Sequence, residues 1–365
     1  MERKKVKKYP IYSKDIARLR NECDYLILLS NRNTGKSFST KEYLIKNAFE
    51  TGEEFAYLRR MVTEVKDIDV NDYFTDIDIP KITKGEYDCI NVFRKRIYFA
   101  KIEDNKIVNK KKIGYVFDLF SMEHKKSLMY PKITSIEYEE FVTDNYYLPN
   151  EPDLLQNFIS SIFRDRKGFV ILIGNKISRF NPYYTDWNLH NAPKQETDTI
   201  DTYDMKTLNG NTVTIKLWNI KLWNIKPREE LSGMFFGNSA KNIDGDTYKI
   251  EEQNKLNDKI ENYNVIYSVV VKVQKIKYLM QFLQHKKDTT KLCWYVVPKT
   301  TDIQKDTRIV SDEFSTDILT TKGFIPLNEN ERMIFSYIKN DKICFVNNMI
   351  GTEFKQALKF LQTAY

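Results

Sequence analysis

The chain has little of what metal sites, disulfide frameworks and membrane spans need. Its 365 residues hold four cysteines (Cys23, Cys89, Cys293 and Cys344) and three histidines. No two cysteines form a Cys-x-x-Cys pair, so neither a zinc site nor a disulfide framework is expected, and the four read as buried thiols. No run of about 18 apolar residues is present to cross a bilayer. The N-terminus, Met1-Glu2-Arg3-Lys4-Lys5-Val6-Lys7-Lys8, is basic and lacks the apolar stretch of a signal peptide. These absences lead to the expectation of a cytoplasmic protein without membrane contact. Acidic charge is in the minority: 58 Lys and Arg stand against 50 Asp and Glu, a net charge of +8. Residues 265–365 hold 15 of those cations against 10 anions. A polyanionic partner fits that balance, and so does plain solubility.

What is there begins with Leu26 to Ser37, LILLSNRNTGKS. Tyr25 to Leu29 predict a buried strand, a polar turn ends in Gly35-Lys36-Ser37, and Leu44, Ile45, Ala48 and Phe49 space a helix over Phe38 to Phe49. Strand, turn and helix in that order are the setting of a phosphate loop. The loop Ser30, Asn31, Arg32, Asn33, Thr34, Gly35 would turn its backbone N–H groups to phosphate oxygens. Lys36 would neutralise β/γ charge, and the Ser37 hydroxyl would ligate Mg2+. Ser30 stands where the first glycine of G-x-x-x-x-G-K-[ST] belongs. An ordinary strand, turn and helix can also carry Gly-Lys-Ser by chance.

Further along, Ile133 to Phe141 reads ITSIEYEEF and ends in two carboxylates. Glu139 would hold Mg2+ and Glu140 would orient and activate an attacking water. The run resembles the second nucleotide motif, a buried strand ending in two carboxylates, although Glu137 interrupts it and taken alone it reads as a polar edge strand. Phe55 to Leu58 form a short strand ending in Arg59-Arg60, open to nucleotide, a neighbour or solvent, with solvent the commonest outcome and so the expected one for an isolated pair beside a phosphate loop. Cys89 to Phe120 alternate like antiparallel strands, with a turn at Asp104-Asn105-Lys106 and Lys110-Lys111-Lys112 beside it, an insertion with a solvated tip rather than core. Leu154 to Phe163 have helical spacing and end in Arg164-Asp165-Arg166, where an arginine either caps carbonyls or reaches a neighbour's γ-phosphate. Phe169 to Ile173 read as a central parallel strand that delivers Gly174-Asn175 to its carboxyl end, the edge at which α/β sheets bind ligands.

Together these residues resemble the DNA-packaging ATPases of phi29-like phages, a branch of the P-loop motor proteins. The loop Ser30 to Ser37, the strand ending in Arg59-Arg60, Glu139-Glu140-Phe141, Pro149-Asn150-Glu151, Phe163-Arg164-Asp165-Arg166, Gly174-Asn175 and Asn181-Pro182-Tyr183 follow that family's order over roughly residues 20 to 190. The resemblance implies an α/β fold with an N-terminal P-loop ASCE ATPase domain on a mainly parallel sheet. It implies ATP and Mg2+ as cofactors, Lys36, Glu140, Arg164 and Asn175 in catalysis, and Ser37 with Glu139 at the metal. Arg164 matches an arginine finger given to the next subunit of a homomeric ring, with Arg166 and Lys126 as weaker candidates, and Asn175 matches a motif that couples hydrolysis to movement. The implied function is translocation of double-stranded viral DNA into a preformed procapsid. The ring, of five subunits, would dock at the portal, or connector, in the host cytoplasm, with a structural packaging RNA as a further partner.

The second half is read more coarsely. Glu196 to Ile215 are polar and Thr-rich, and Lys216-Leu217-Trp218-Asn219-Ile220 repeats at once as Lys221-Leu222-Trp223-Asn224-Ile225. Two copies are too few for a solenoid, so a connecting segment that packs on a domain is expected, with Trp218 and Trp223 packing rather than stacking on DNA. Residues 1–205 form the expected ATPase domain, 206–264 a linker region, and 265–365 a small α+β domain. In that last domain Val265 to Val273, Lys291 to Val297 and Ile343 to Val346 read as strands, and Phe354, Ala357, Leu358 and Leu361 as a helix face. The resemblance implies a degenerate RNase H-like nuclease fold there. Val265 to Val273 carry no acidic residue to begin a two-metal site, so docking to DNA, RNA or the portal is expected instead of cleavage. Two other readings stay open: a helicase-like or full terminase ATPase with its own nuclease, and a nucleic-acid-binding protein with a silent phosphate loop.

Overall fold

Five consecutive apolar or aromatic residues make β1 (Tyr25–Ser30), which is buried along its whole length. The computed structural model describes residues 10–30, 34–121, 129–143, 147–175, 181–189, 191–192, 195–196, 198–220, 252–273, 276–299, 301, 303 and 306–363. They fall into two units, one carrying a nine-stranded sheet and the other a six-stranded sheet. Asn31, Arg32, Asn33, Lys126, the second copy of the five-residue repeat and most of the expected linker lie outside the described residues.

In chain order the first sheet and its helices are α1 (Pro10–Leu19), β1, α2 (Lys36–Thr51), β2 (Glu54–Arg59), α3 (Asp67–Phe74), α4 (Ile79–Ile82), β3 (Cys89–Phe93), β4 (Arg96–Glu103), β5 (Lys106–Asp118), β6 (Ile133–Glu139), α5 (Glu151–Phe163) and β7 (Phe169–Asn175). The short helix α6 (Pro182–Asp186) follows, and β8 (Thr199–Lys206) and β9 (Thr212–Asn219) complete the sheet. The strand order is β3-β4-β5-β2-β6-β7-β1-β9-β8. The six strands from β5 to β9 in that order pair parallel, and antiparallel neighbours close both edges. β7 lies between the phosphate-loop strand and the carboxylate strand, a central parallel strand as expected. Leu26 and Leu28 of β1, Phe169, Ile171 and Ile173 of β7, and Tyr43, Leu44 and Ala48 of α2 share one core. Every parallel strand ends on the same edge, which gathers Ser30, Arg59, Glu139 and Asn175 there.

β6 is the buried strand of the two readings open for this run and not the polar edge: its alternate residues Ile136 and Tyr138 are fully buried and both of its edges are paired. Two expectations change. β5 is not a mere insertion: its far half, Gly114 to Asp118, pairs with β2, and Ile113 and Val116 enter the core. The sheet also runs past residue 205, since β9 pairs with β1 from Tyr25↔Ile215 to Leu29↔Asn219. Its threonines occupy a strand for which β-branched residues are well suited. Leu217 is fully buried beside Ile27, and Trp218 packs in the core. The hairpin turn falls at Asp104 (φ 48) and Asn105 (φ 58), the two positive φ values a two-residue turn requires. Cys23 is buried as expected, whereas Cys89, Cys293 and Cys344 are partly exposed.

The second unit contains β10 (Tyr263–Val273), β11 (Ile276–His285), β12 (Leu292–Pro298), β13 (Ile309–Ser311), β14 (Thr320–Lys322), α7 (Glu329–Lys339), β15 (Ile343–Phe345) and α8 (Asn348–Thr363). Strands β10, β11 and β12 form an antiparallel meander, and β13 and β14 add in parallel on the outer side of β10. Val269, Val271 and Val273 pack with Trp294, Ile334, Phe335, Phe354, Ala357 and Leu361. Strand β11 and helix α7 were not anticipated, although α7 carries a start signal: the Asn328 side chain accepts from the Glu331 N–H. Glu331 is buried because Arg308 meets it at 2.9 Å.

If β9 is core to the first sheet, Leu217→Ala will lower its unfolding free energy by about 2–5 kcal/mol in chemical denaturation. A loss within experimental error would place β9 outside the folded core.

Candidate functional site

Gly35 takes φ 84, a left-handed conformation that favours glycine, and from it α2 starts at Lys36. Lys36 and Ser37 therefore stand on the first turn of a 16-residue helix, whose N-terminal N–H groups favour anions. Lys36 is buried, and its Nζ donates to Ser30 Oγ at 2.5 Å, Thr34 Oγ1 at 3.3 Å and Asn175 Oδ1 at 3.2 Å. Ser37 Oγ donates to Glu139 Oε1 at 2.7 Å, so the two groups expected at a metal are already in contact.

Glu137 and Glu139 project to the same face of β6, two residues apart. The Tyr73 hydroxyl lies 2.7 Å from Glu137 Oε1 and 3.3 Å from Glu139 Oε2. Burial, with the nearby Glu139 charge adding to it, pushes the Glu137 carboxyl up to about 8. Burial likewise raises Glu139, against the pull of Ser37, Arg59 and Lys36. Lys41, buried on α2, lies 4.3 Å from the Tyr73 ring and pairs with Asp76 at 2.5 Å.

Glu140 follows β6 with φ 57, a conformation in which a carboxylate side chain carries backbone strain. Its own side chain is half exposed and meets Arg59 Nη2 at 2.7 Å, while Arg59 also holds Glu64 at 2.9 Å. Burial works against the Arg59 charge, but Tyr57, Glu140 and Glu64 raise its pKa above the ordinary value. Next to it Arg60 is buried against Glu151 at 2.8 Å and donates to the Glu140 carbonyl at 3.2 Å and the Phe141 carbonyl at 2.8 Å. Tyr138 donates to the same Glu151 at 2.8 Å. The expectation that Arg59 and Arg60 face solvent is overturned. Each answers a carboxylate that approaches from a strand or helix distant in sequence, and Arg60 clamps the backbone that presents Glu140.

Asn175 ends β7 opposite Ser30 of β1. Gly174 precedes it because a Cβ there would lie 2.6 Å from Val142 Cγ2 and 2.8 Å from Phe141 Cε1. Thr34, Gly35, Lys36, Ser37, Glu139, Glu140 and Asn175 line one open cleft of about 320 Å³. Arg164 is not among them. It closes the far end of α5 with φ 50 and is exposed. Arg166 is committed to the carbonyls of Tyr130, Pro131, Ile133 and Ile162. Sequence reasoning noted Arg59 and Arg60 at a strand's carboxyl end beside the loop and Glu151 in a family motif, but paired none of them, and nothing local marks Tyr73.

The family profile of the Podovirus DNA encapsidation protein (Gp16) matches residues 16–210, more than half of the chain. A DNA packaging protein of Bacillus phage B103 is 32% identical over 171 residues, covering 44% of this chain and 47% of that protein. The DNA packaging protein of Bacillus phage phi29 is 30% identical over 171 residues, covering 44% and 46%. The chain thus matches about half the length of these curated relatives. Among solved structures, a chain of the bacteriophage phi29 viral genome packaging motor assembly aligns over 95% of this chain and 97% of its own. The TM-score is 0.54 at 19% identity, a likeness of fold.

The Glu137 shift has a consequence for stability. A carboxyl raised from 4.5 to about 8 by folding favours the folded state most below its ordinary value, and that contribution disappears as pH rises through about 8. Glu137→Gln removes the effect. Its melting temperature will gain on that of the unaltered chain by on the order of 3 °C between pH 5.5 and 8.5. Parallel melting curves across that range would mean that Glu137 is not held neutral.

Proposed function

Because the chain belongs to the Podovirus DNA encapsidation protein family, we propose that it is an ATPase that drives double-stranded viral DNA into a preformed procapsid as a ring of identical subunits. The observation that carries this reading is the meeting of Lys36, Ser37, Glu139, Glu140 and Asn175 in one cleft on the carboxyl edge of a parallel sheet. Lys36 and the α2 N-terminus bind the β- and γ-phosphates of ATP. Ser37 and Glu139, an oxygen-donor pair already in contact, fit a hydrated Mg2+, which when bound neutralises phosphate charge. Glu140 orients and deprotonates the attacking water. Its carboxylate is held by Arg59 at 2.7 Å, so that ion pair opens when Glu140 turns to the water. Asn175 touches Lys36 and so links the strand end to the phosphate site.

Arg164 is the finger given to a neighbour. Helix α5 begins beside the catalytic edge with Glu151 and runs about 20 Å along the sheet, which puts Arg164 at the opposite edge from its own Lys36. Supplied in trans, such an arginine is worth about 10^3 to 10^5 in turnover. The second unit, whose first strand carries no carboxylate, suits docking rather than cleavage. Its partners are DNA, the portal or connector, and a packaging RNA, met in the host cytoplasm. DNA contact is mainly to phosphates, because a translocase has to ignore sequence. Five subunits are the proposed ring size.

Glu140→Gln will reduce ATP hydrolysis by at least about 100-fold while leaving ATP binding intact. Near-normal turnover in that variant removes the assignment, and no DNA-stimulated hydrolysis by the unaltered chain favours a nucleic-acid-binding protein with a silent loop. For the trans finger, Lys36→Ala and Arg164→Ala subunits are each inactive alone, and mixing them restores part of the hydrolysis. A mixture as inactive as its parts would show that Arg164 does not act across an interface.

A further inference from the structure

Ser30, where a phosphate loop has its first glycine, brings a hydroxyl into the floor of the site. It ends β1 and is fully buried. Its Oγ lies 2.5 Å from Lys36 Nζ and 2.5 Å from Thr34 Oγ1, so one hydroxyl joins the two ends of the loop to its lysine. Lys36 donates in addition to Thr34 and Asn175, and Asn175 stands opposite Ser30 in the β1/β7 register. The lysine is thus drawn toward two adjacent strand ends and the base of the loop. A glycine at position 30 would contribute no side-chain acceptor to this arrangement.

An ammonium has three N–H donors, and each phosphate oxygen that takes one competes with the acceptors already around it. Ser30 is the nearest of the three side-chain acceptors described here, and it is buried where a hydrogen bond to a charged group is strongest. We propose that Ser30 is a positioning residue that sets nucleotide affinity, its hydroxyl competing with the phosphate oxygens of ATP for Lys36. This rests on the nucleotide site proposed above. Removing the hydroxyl leaves Thr34 and Asn175 to hold the lysine less firmly, so phosphate captures it at lower cost. Replacing the hydroxyl by another restores the competition.

The test is binding of a fluorescent ATP analogue with Mg2+ to the full chain, alongside steady-state hydrolysis. Ser30→Gly and Ser30→Ala are expected to bind roughly five-fold tighter, with a larger effect on KM than on kcat, and Ser30→Thr to return to the affinity of the unaltered chain. In a Lys36→Ala background the same Ser30 changes are expected to have no effect, because the competition needs the lysine. Thermal melting of each variant checks that it is folded. Equal or weaker binding by folded Ser30→Gly and Ser30→Ala, or the same gain without Lys36, would overturn the role of Ser30 while leaving the nucleotide site standing. No binding by the unaltered chain would overturn both.

Discussion

Parallel pairing of β6, β7 and β1 obliges Glu139, Asn175 and Ser30 to leave the sheet on one edge, because parallel strands finish at the same side. The helix that follows β1 starts at that edge and brings Lys36 and Ser37 with it. Residues as far apart as Thr34 and Asn175 therefore face one cleft without any long loop to aim them. The arrangement is also stiff, since all three strands are buried on both faces and share their hydrogen bonds with neighbours on either side.

Concentrating charge on that edge makes the local electrostatics demanding. Glu137 and Glu139 are buried together, and the structure answers with a tyrosine hydroxyl, a serine hydroxyl and the cations of Lys36, Lys41 and Arg59 around them. The half-exposed Glu140 is treated differently. Arg59 holds its carboxylate and Arg60 holds its backbone, and Arg60 is itself fixed by the fully buried Glu151 at the start of α5. One carboxylate is thus kept able to change its pairing while the chain that presents it is not. The strained φ of Glu140 persists because that clamp over-determines the backbone.

Helix α5 joins this edge to the other. Its first residue completes the Arg60 pair, and Arg164 closes its last turn. One helix therefore spans the chain between the Arg60 pair beside Glu140 and the exposed Arg164. The six-stranded unit has its own valine-rich core and its own buried Arg308–Glu331 pair.

Local pattern was enough to determine the strand and helix that flank Gly35, the central strand β7, helix α5 and the last helix. Each is written in consecutive residues as an apolar run or a helical spacing that no partner is needed to interpret. Glu139 and Glu140 could be singled out as adjacent carboxylates at the end of a run that Glu137 interrupts. Tertiary structure alone decided the fate of Arg59 and Arg60, whose carboxylates lie 81 and 91 residues away. It alone placed β6 at the centre despite Glu137, because Tyr73 arrives from α3 to accommodate the buried acid. It alone drew the Thr-rich β9 into the sheet, since an alternating polar strand becomes core only when a neighbour such as β1 offers it an edge. Short-range chemistry is legible in sequence because adjacent residues carry it, whereas the compensation of a buried charge depends on which distant residue the fold brings beside it.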